Sequence, residues 1–305
     1  MSAFVQGPVT VEVPATSANL GPGFDCLGLA LDLHDTLTAE VSASGLLVEV
    51  EGEGADALPR DERHLVVRAM RAGFEALGVA PAGLVLRAVN RIPQSRGLGS
   101  SSAAIVGGLA LARALVVDGP ATLDDATVLR LATAIEGHPD NVAPALLGGF
   151  VVSGHDGDDT WAIQAPVAAA VSAVAFVPPQ GVSTEVARGL LPAEVPHRVA
   201  AANGARSALL VAVLGGATAG VSEPLLVRAT EDFLHQDFRA PAMPESLALV
   251  RSLRADGHAA VVSGAGPTVL VLALGGADSV LDRCPAGWAS YPLSIDHAGV
   301  RTLAS

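Results

Sequence analysis

The run Pro93-Gln94-Ser95-Arg96-Gly97-Leu98-Gly99-Ser100-Ser101-Ser102-Ala103-Ala104 carries the residue types that a phosphate-binding loop requires. Its glycines let the backbone approach a ligand closely and adopt positive φ. Its serines can cap a following helix and offer hydroxyls to a phosphate or to Mg²⁺. A helix starting near Ser100 would aim its free N–H groups and the positive end of its dipole at the loop. An ordinary Gly/Ser turn with a serine cap is the competing reading. Three consecutive serines leading into an Ala/Gly-rich helix weigh against it. Such a loop needs no lysine, which matters because all 18 basic residues of this 305-residue chain are arginine. The missing lysine excludes a P-loop, a protein-kinase-type strand lysine and a pyridoxal phosphate Schiff base.

Three further clusters combine polar side chains with glycine or proline. In Pro14-Ala15-Thr16-Ser17-Ala18-Asn19-Leu20-Gly21-Pro22-Gly23-Phe24-Asp25, Asn19 could bond a hydroxyl and Asp25 an ammonium. A surface loop with Asx-turns is the alternative there. In Glu136-Gly137-His138-Pro139-Asp140-Asn141-Val142-Ala143-Pro144, Glu136 is a candidate Mg²⁺ ligand. His138, Asp140 and Asn141 could bind substrate or handle its proton. Taken singly, such residues near a helix end more often serve as caps. Ser263-Gly264-Ala265-Gly266-Pro267-Thr268 reads as close backbone approach to a ligand, or as a structural hairpin.

The elements that must position these clusters follow from periodicity. Strands are expected at Val9–Val13 (stopped by Pro14), Leu46–Glu51, Leu84–Val89, Phe150–Val152 and Ala170–Val177. Helices are expected at Asp61–Leu77, Ala103–Val117 and Leu123–Glu136, the last with an acidic first turn at Asp124 and Asp125 suited to the helix dipole. Beyond Val177 the pattern gives helices near Val199–Leu214, Leu225–Asp232 and Glu245–Asp256, then two strands around Gly264. Interleaved strands and helices in both halves make the chain α+β. A boundary is expected near the turn Gly154–Thr160 and Pro166, giving domains 1–160 and 161–305.

Composition bounds the partners. A net charge of −13 argues against nucleic acid and anionic membrane, and an anionic substrate must be held by a local positive site. Half the residues are hydrophobic and 16% are charged, as in a globular protein with a large core. The uncharged run Ala259–Ala277 is long enough to span a bilayer, but its glycines and Pro267 break it into strands. Two cysteines, Cys26 and Cys284, suggest a reducing compartment, and the N-terminus lacks signal-peptide features, so a cytoplasmic protein is expected.

The four clusters together, in this order, resemble the GHMP kinase superfamily. The segments Thr16–Asp25 and His138–Pro144 resemble its homoserine kinase family in particular, from about Val11 to Leu272. The resemblance implies a ribosomal-protein-like N-terminal domain that binds ATP, a ferredoxin-like C-terminal domain, and a site in the cleft between them. It implies ATP-dependent phosphorylation of the L-homoserine hydroxyl, a step of threonine biosynthesis, with Mg²⁺. By motif, Pro93, Gln94, Ser95, Arg96, Gly97, Leu98, Gly99, Ser100, Ser101, Ser102 and Ala103 would surround ATP, and Ser101 and Glu136 would hold Mg²⁺. Asn19 would contact the homoserine hydroxyl and Asp25 its ammonium, with His138 and Asn141 completing the pocket. Arg188 and Arg239 would clamp the carboxylate bidentately. Where relatives carry an acid or lysine beside the attacking hydroxyl, the matching position is Asn141, which cannot accept a proton. In-line transfer without a dedicated base is therefore expected, with adjacent Asp140 as the alternative. A kinase for another small alcohol and a non-catalytic sensor of the same fold are the rival functions. The family analogy also allows a homodimer.

Overall fold

The computed structural model describes residues 3–303 except 158, 217–221 and 276–277, so the end of the uncharged run and part of the Gly154–Thr160 turn lie outside the described residues. The first part of the chain runs β1 (Val9–Asn19), β2 (Gly23–Ser42), β3 (Gly45–Gly52), α1 (Leu65–Ala76) and β4 (Gly83–Asn90). It continues with α2 (Ser100–Leu115), α3 (Gly119–Thr122), α4 (Asp125–Glu136), α5 (Pro139–Leu147), β5 (Phe150–Asp156) and β6 (Asp159–Ala165). There follow β7 (Val171–Val177), α6 (Thr184–Gly189), α7 (His197–Leu214), α8 (Glu223–Ala229) and a 3₁₀ turn at Asp237–Ala242. The chain ends with α9 (Pro244–Ala255), β8 (Ala259–Val262), β9 (Val269–Leu274), α10 (Asp278–Leu281), β10 (Ala289–Leu293) and β11 (Arg301–Leu303).

Among the described residues the strands form two sheets. The larger has the order β11-β1-β2-β4-β3, with β5 and β6 extending from β2. Its β3–α1–β4 unit is parallel and its other pairings are antiparallel. The smaller sheet is antiparallel with order β10-β7-β9-β8. Counted along the chain within that unit, this is the 4-1-3-2 order of a ferredoxin-like βαββαβ fold. Leu109, Val106, Met70 and Phe74 on α1 and α2 pack with Val13, Leu37 and Leu86 of the large sheet in one buried cluster.

Several boundaries differ from the sequence expectation. Pro14 does not stop β1: the strand continues to Asn19, with a register shift between Pro14 and Ala15. A bulge is where a sheet tolerates proline. The expected loop thereby shrinks to the turn Leu20–Pro22, and the long strand β2 follows it. Pro139 and Pro144 do not keep 139–147 out of a helix, because Pro139 takes the first position of α5, where a missing N–H costs nothing. The Gly154–Thr160 segment is the tip of the β5–β6 hairpin, and β6 stays in the large sheet. Sheet membership changes between Ala165 and Val171, around Pro166, and Arg301–Leu303 returns to pair with β1. The remaining predicted strands and helices are present with ends shifted by a few residues.

Candidate active site

All four polar clusters converge. The Thr16 N–H donates to the Leu98 carbonyl (3.0 Å), Gly264 N–H to Ala18 (3.0 Å) and Thr268 N–H to Arg96 (3.2 Å). Thr16 Oγ1 donates to Asn141 Oδ1 at 2.8 Å. Between them lies a cleft of about 360 Å³, lined by Asn19, Asp25, residues 94–101, Glu136, His138, Asp140, Asn141, Arg188 and Arg239. Pro93, Ser102 and Ala103 flank it.

The middle of the cleft has the backbone geometry an anion could use. Gly97 and Gly99 have φ of 78° and 70°. A Cβ on Gly97 would strike the Ser263 carbonyl, and one on Gly99 would strike Thr16 Oγ1. Glycine is required at both places by space as well as by φ. Arg96 fixes the loop from behind by donating to the carbonyls of Gln94, Pro178 and Pro179. The helix α2 begins at Ser100, as the loop reading placed it and three residues ahead of the apolar stretch from Ala103, behind the left-handed Gly99. The serines do not cap it: no side-chain hydrogen bond closes its N-terminus among the described residues. Ser101 Oγ and Ser102 Oγ instead donate to Glu136 Oε1 at 2.6 and 2.9 Å. The first turn of α2 therefore keeps backbone donors and a positive dipole end facing the cleft.

One end of the cleft is polar and charged. Asn19, with φ 67°, accepts from the Asp25 N–H (3.0 Å) and donates to the Gly264 carbonyl (2.9 Å). The Arg188 guanidinium donates two bonds to the Asp25 carboxylate, at 2.7 and 2.9 Å, and this hydrogen bonding raises its pKa. Arg239 is 1% exposed and donates to the Gly264 carbonyl (3.0 Å) and His235 Nδ1 (3.0 Å). Both guanidiniums lie 5.6 Å from the Phe24 ring centre. No carboxylate pairs with Arg239 among the described residues. Such a guanidinium, with Asp25, Asp232 and Asp140 nearby but none bonded to it, keeps donors that could meet an anionic group. His138 Nδ1 lies 2.6 Å from Asp140 Oδ1, and Asp140 is 2% exposed. Burial pulls the His138 pKa down, but the hydrogen bond and charge of Asp140, aided by Glu136, outweigh it and leave the pKa raised.

The other end holds two side chains that sequence reading did not single out. Asp35 accepts from the N–H groups of Arg91 (2.6 Å) and Ile92 (2.9 Å), and burial pushes its carboxyl up to about 6. His64 is 3% exposed, and among the described residues neither ring nitrogen has a hydrogen-bond partner. Burial lowers its pKa. The signal for His64 was its place just ahead of the apolar stripe of α1, where Ser, Thr, Asp or Asn would cap the helix. Asp35 sits on the inward row of β2 with Leu37 and Ala39, a row that otherwise reads apolar.

Comparison with known proteins gives this arrangement a family. Residues 64–149 match the GHMP kinases N terminal domain and residues 219–290 the GHMP kinases C terminal domain. The chain is 55% identical to the homoserine kinase of Streptomyces avermitilis over 99% of its own length and 97% of that protein. It is 50% identical to the homoserine kinase of Clavibacter michiganensis, covering 95% and 92% of the two chains. The structure of homoserine kinase from Cytophaga hutchinsonii superposes with a TM-score of 0.83 at 25% identity, covering 99% of this chain and all of that one. The fold and cleft are those of a GHMP kinase. Within that superfamily the chain belongs to the homoserine kinase family. A mevalonate diphosphate decarboxylase from Staphylococcus aureus shares the fold at TM-score 0.61 and 14% identity, so the fold alone does not set the chemistry.

Proposed function

We propose that the chain transfers the γ-phosphoryl group of ATP to the side-chain hydroxyl of L-homoserine. The observation that carries this reading is one cleft holding three kinds of receptor in sequence. The loop 97–102 supplies amides and a helix N-terminus for phosphates. The end built from Asn19, Asp25, Arg188 and Arg239 carries donors and acceptors for a zwitterionic amino acid. The end lined by His64, Asp35 and the apolar Leu58 and Leu65 remains for the nucleoside. Asp25 and Arg188 satisfy each other in the structure, but a carboxylate has further lone pairs, so Asp25 can take the substrate ammonium while keeping Arg188. Arg239, with no anion of its own, takes the carboxylate.

Ser101 and Glu136 form a hard oxygen donor set facing the cleft, which suits Mg²⁺. The ion would neutralise charge on the phosphate oxygens when bound. The residues of the chain do the rest. The amides of the α2 first turn hold the phosphates, Arg96 keeps the loop shaped, and Asn19 and Asn141 orient the hydroxyl for in-line attack. No base need be assigned. Asn141 has no proton-accepting nitrogen, and Asp140, whose Oδ1 lies 2.6 Å from His138 Nδ1, remains the alternative that the test at Asp140 and Asn141 decides.

Coupled detection of ADP with L-homoserine, shikimate and mevalonate tests the reading. Turnover is expected with L-homoserine and Mg²⁺. Turnover with another alcohol only, or ATP binding without any turnover, would overturn it. His64→Leu carries a second expectation. The change removes two unpaired buried nitrogens, whose retention costs about 1–3 kcal/mol, so the midpoint of thermal unfolding should rise. The KM for ATP should rise about tenfold if His64 bonds the base. A stabilised variant with unchanged KM for ATP would take His64 out of nucleotide binding.

Among the described residues no helix is long and apolar enough to cross a membrane. We place the protein in the cytoplasm on the strength of its two unbridged cysteines.

A further inference from the structure

His235 lies in the turn between α8 and the 3₁₀ segment and is fully buried. The Asp232 carboxylate shapes that turn by accepting the N–H groups of Leu234, His235 and Gln236. The ring bonds in two directions. Nε2 is 2.7 Å from the Gly21 carbonyl oxygen, and Nδ1 is 3.0 Å from an Arg239 guanidinium nitrogen. A carbonyl can only accept and a guanidinium can only donate, so one tautomer satisfies both: Nε2 carries the proton and Nδ1 the lone pair. Burial and the facing Arg239 disfavour the imidazolium, against the pull of the Asp232 carboxylate 3.5 Å from Nε2, and leave the pKa lowered. The ring further packs on Phe24, centroids 5.4 Å apart.

These bonds close a circuit. Arg239 donates to the Gly264 carbonyl, Asn19 Nδ2 donates to the same oxygen, and Asn19 stands two residues before Gly21. The circuit ties the β1–β2 turn, which carries Asn19 and Asp25, to the cation at the end of the cleft. Arg239 is thus held by the Gly264 carbonyl and the His235 ring, each 3.0 Å away, while its bond to the Ala187 carbonyl is longer, at 3.4 Å.

We propose that His235 is a positioning residue for the substrate carboxylate, holding Arg239 in register with the turn that receives the hydroxyl and ammonium. This rests on the reading that Arg239 binds the carboxylate. The residue touches no substrate. It acts by removing the freedom of a long side chain, so the carboxylate meets a donor already in place.

The test compares L-homoserine with 3-aminopropan-1-ol, which keeps the hydroxyl and ammonium but lacks the carboxylate. His235→Phe keeps the ring packing on Phe24 and loses both bonds. It should lower kcat/KM for L-homoserine about 30-fold, mainly through KM. It should leave the KM for ATP and the low activity on 3-aminopropan-1-ol within about twofold of the unmodified protein. His235→Gln, whose amide can donate to Gly21 and accept from Arg239, should restore most of the loss. Equal losses on both substrates, no loss on either, or no rescue by glutamine would overturn the proposal. Arg239→Ala separates the two readings. If it leaves the preference for L-homoserine over the analogue unchanged, the carboxylate is held elsewhere and the underlying reading falls. If it abolishes that preference while His235→Phe does not, only the role of His235 falls. Should His235→Phe fail to fold, the ¹⁵N imidazole signals of the unmodified protein decide. They should show the Nε2–H tautomer and shift on adding L-homoserine but not 3-aminopropan-1-ol, and unshifted signals would overturn the proposal.

Discussion

Glu136→Gln is expected to lower kcat about a thousandfold, with the folded structure intact. Glu136 is the last residue of α4, where the helix dipole presents its negative end, and a carboxylate there is disfavoured unless a positive charge compensates it. The chain nevertheless places the carboxylate there and turns two serine hydroxyls of α2 onto one of its oxygens. Glutamine keeps the length of the side chain, and its Oε1 can accept both hydroxyls, so packing and hydrogen bonding survive. What disappears is the negative charge that would share Mg²⁺ with Ser101. The concentration of Mg²⁺ giving half-maximal rate should rise in parallel, which distinguishes a lost ligand from a lost scaffold. ADP release measured across a Mg²⁺ titration checks both. A variant within tenfold of the unmodified kcat, with the same Mg²⁺ requirement, would remove Glu136 from the metal site.

The phosphate loop was the most legible part of the molecule, because its chemistry is local. Gly97, Gly99 and the three serines announce positive φ, close approach and a helix start within one short stretch. Local reasoning left the serines between capping and ligand-facing roles, and their pairing with Glu136 came from the family resemblance rather than from the loop itself. A cap is the default partner for a serine at a helix start, and only the tertiary approach of α4 offers Glu136 instead. Pro14 misled: it reads as a strand stop, yet it sits at a register shift where it removes no needed bond. The strand β2 was missed despite the alternation Leu27, Leu29, Leu31 and Leu37, Ala39, Val41, because Asp35 interrupts its inward row. That interruption is itself informative, since Asp35 is there to hold the backbone of Arg91 and Ile92. His64 and His235 were not singled out for a shared reason. What marks them lies across gaps of many residues, the cleft residues around one and the Gly21 carbonyl for the other.

The question of a base can be decided by comparing two neighbours on α5. Asn141→Ala is expected to lower kcat about a hundredfold. Its Oδ1 is engaged by Thr16, which leaves its Nδ2 protons to donate to an oxygen gaining charge. Asp140→Asn should cost only about tenfold, because its carboxylate is buried against His138 and acts through it. The pH profile supplies the sign. Asp140 raises the pKa of His138, so the imidazolium persists to higher pH than in a free histidine. If the cation stabilises the anionic substrates, kcat/KM falls as pH rises through the His138 pKa. In Asp140→Asn the raising influence is gone, and that descending limb moves to lower pH. Were His138 instead the base that takes the hydroxyl proton, it would work only when neutral, and kcat/KM would climb through the same pKa. Intact turnover in Asn141→Ala, together with abolished turnover in a correctly folded Asp140→Asn, would show that a base exists and that the His138–Asp140 pair supplies it. The expected pattern, a strong effect at Asn141 and a descending limb set by His138, leaves transfer to positioning and charge stabilisation. That accords with a loose phosphoryl-transfer transition state, in which the hydroxyl proton need not leave before the phosphorus–oxygen bond has largely broken.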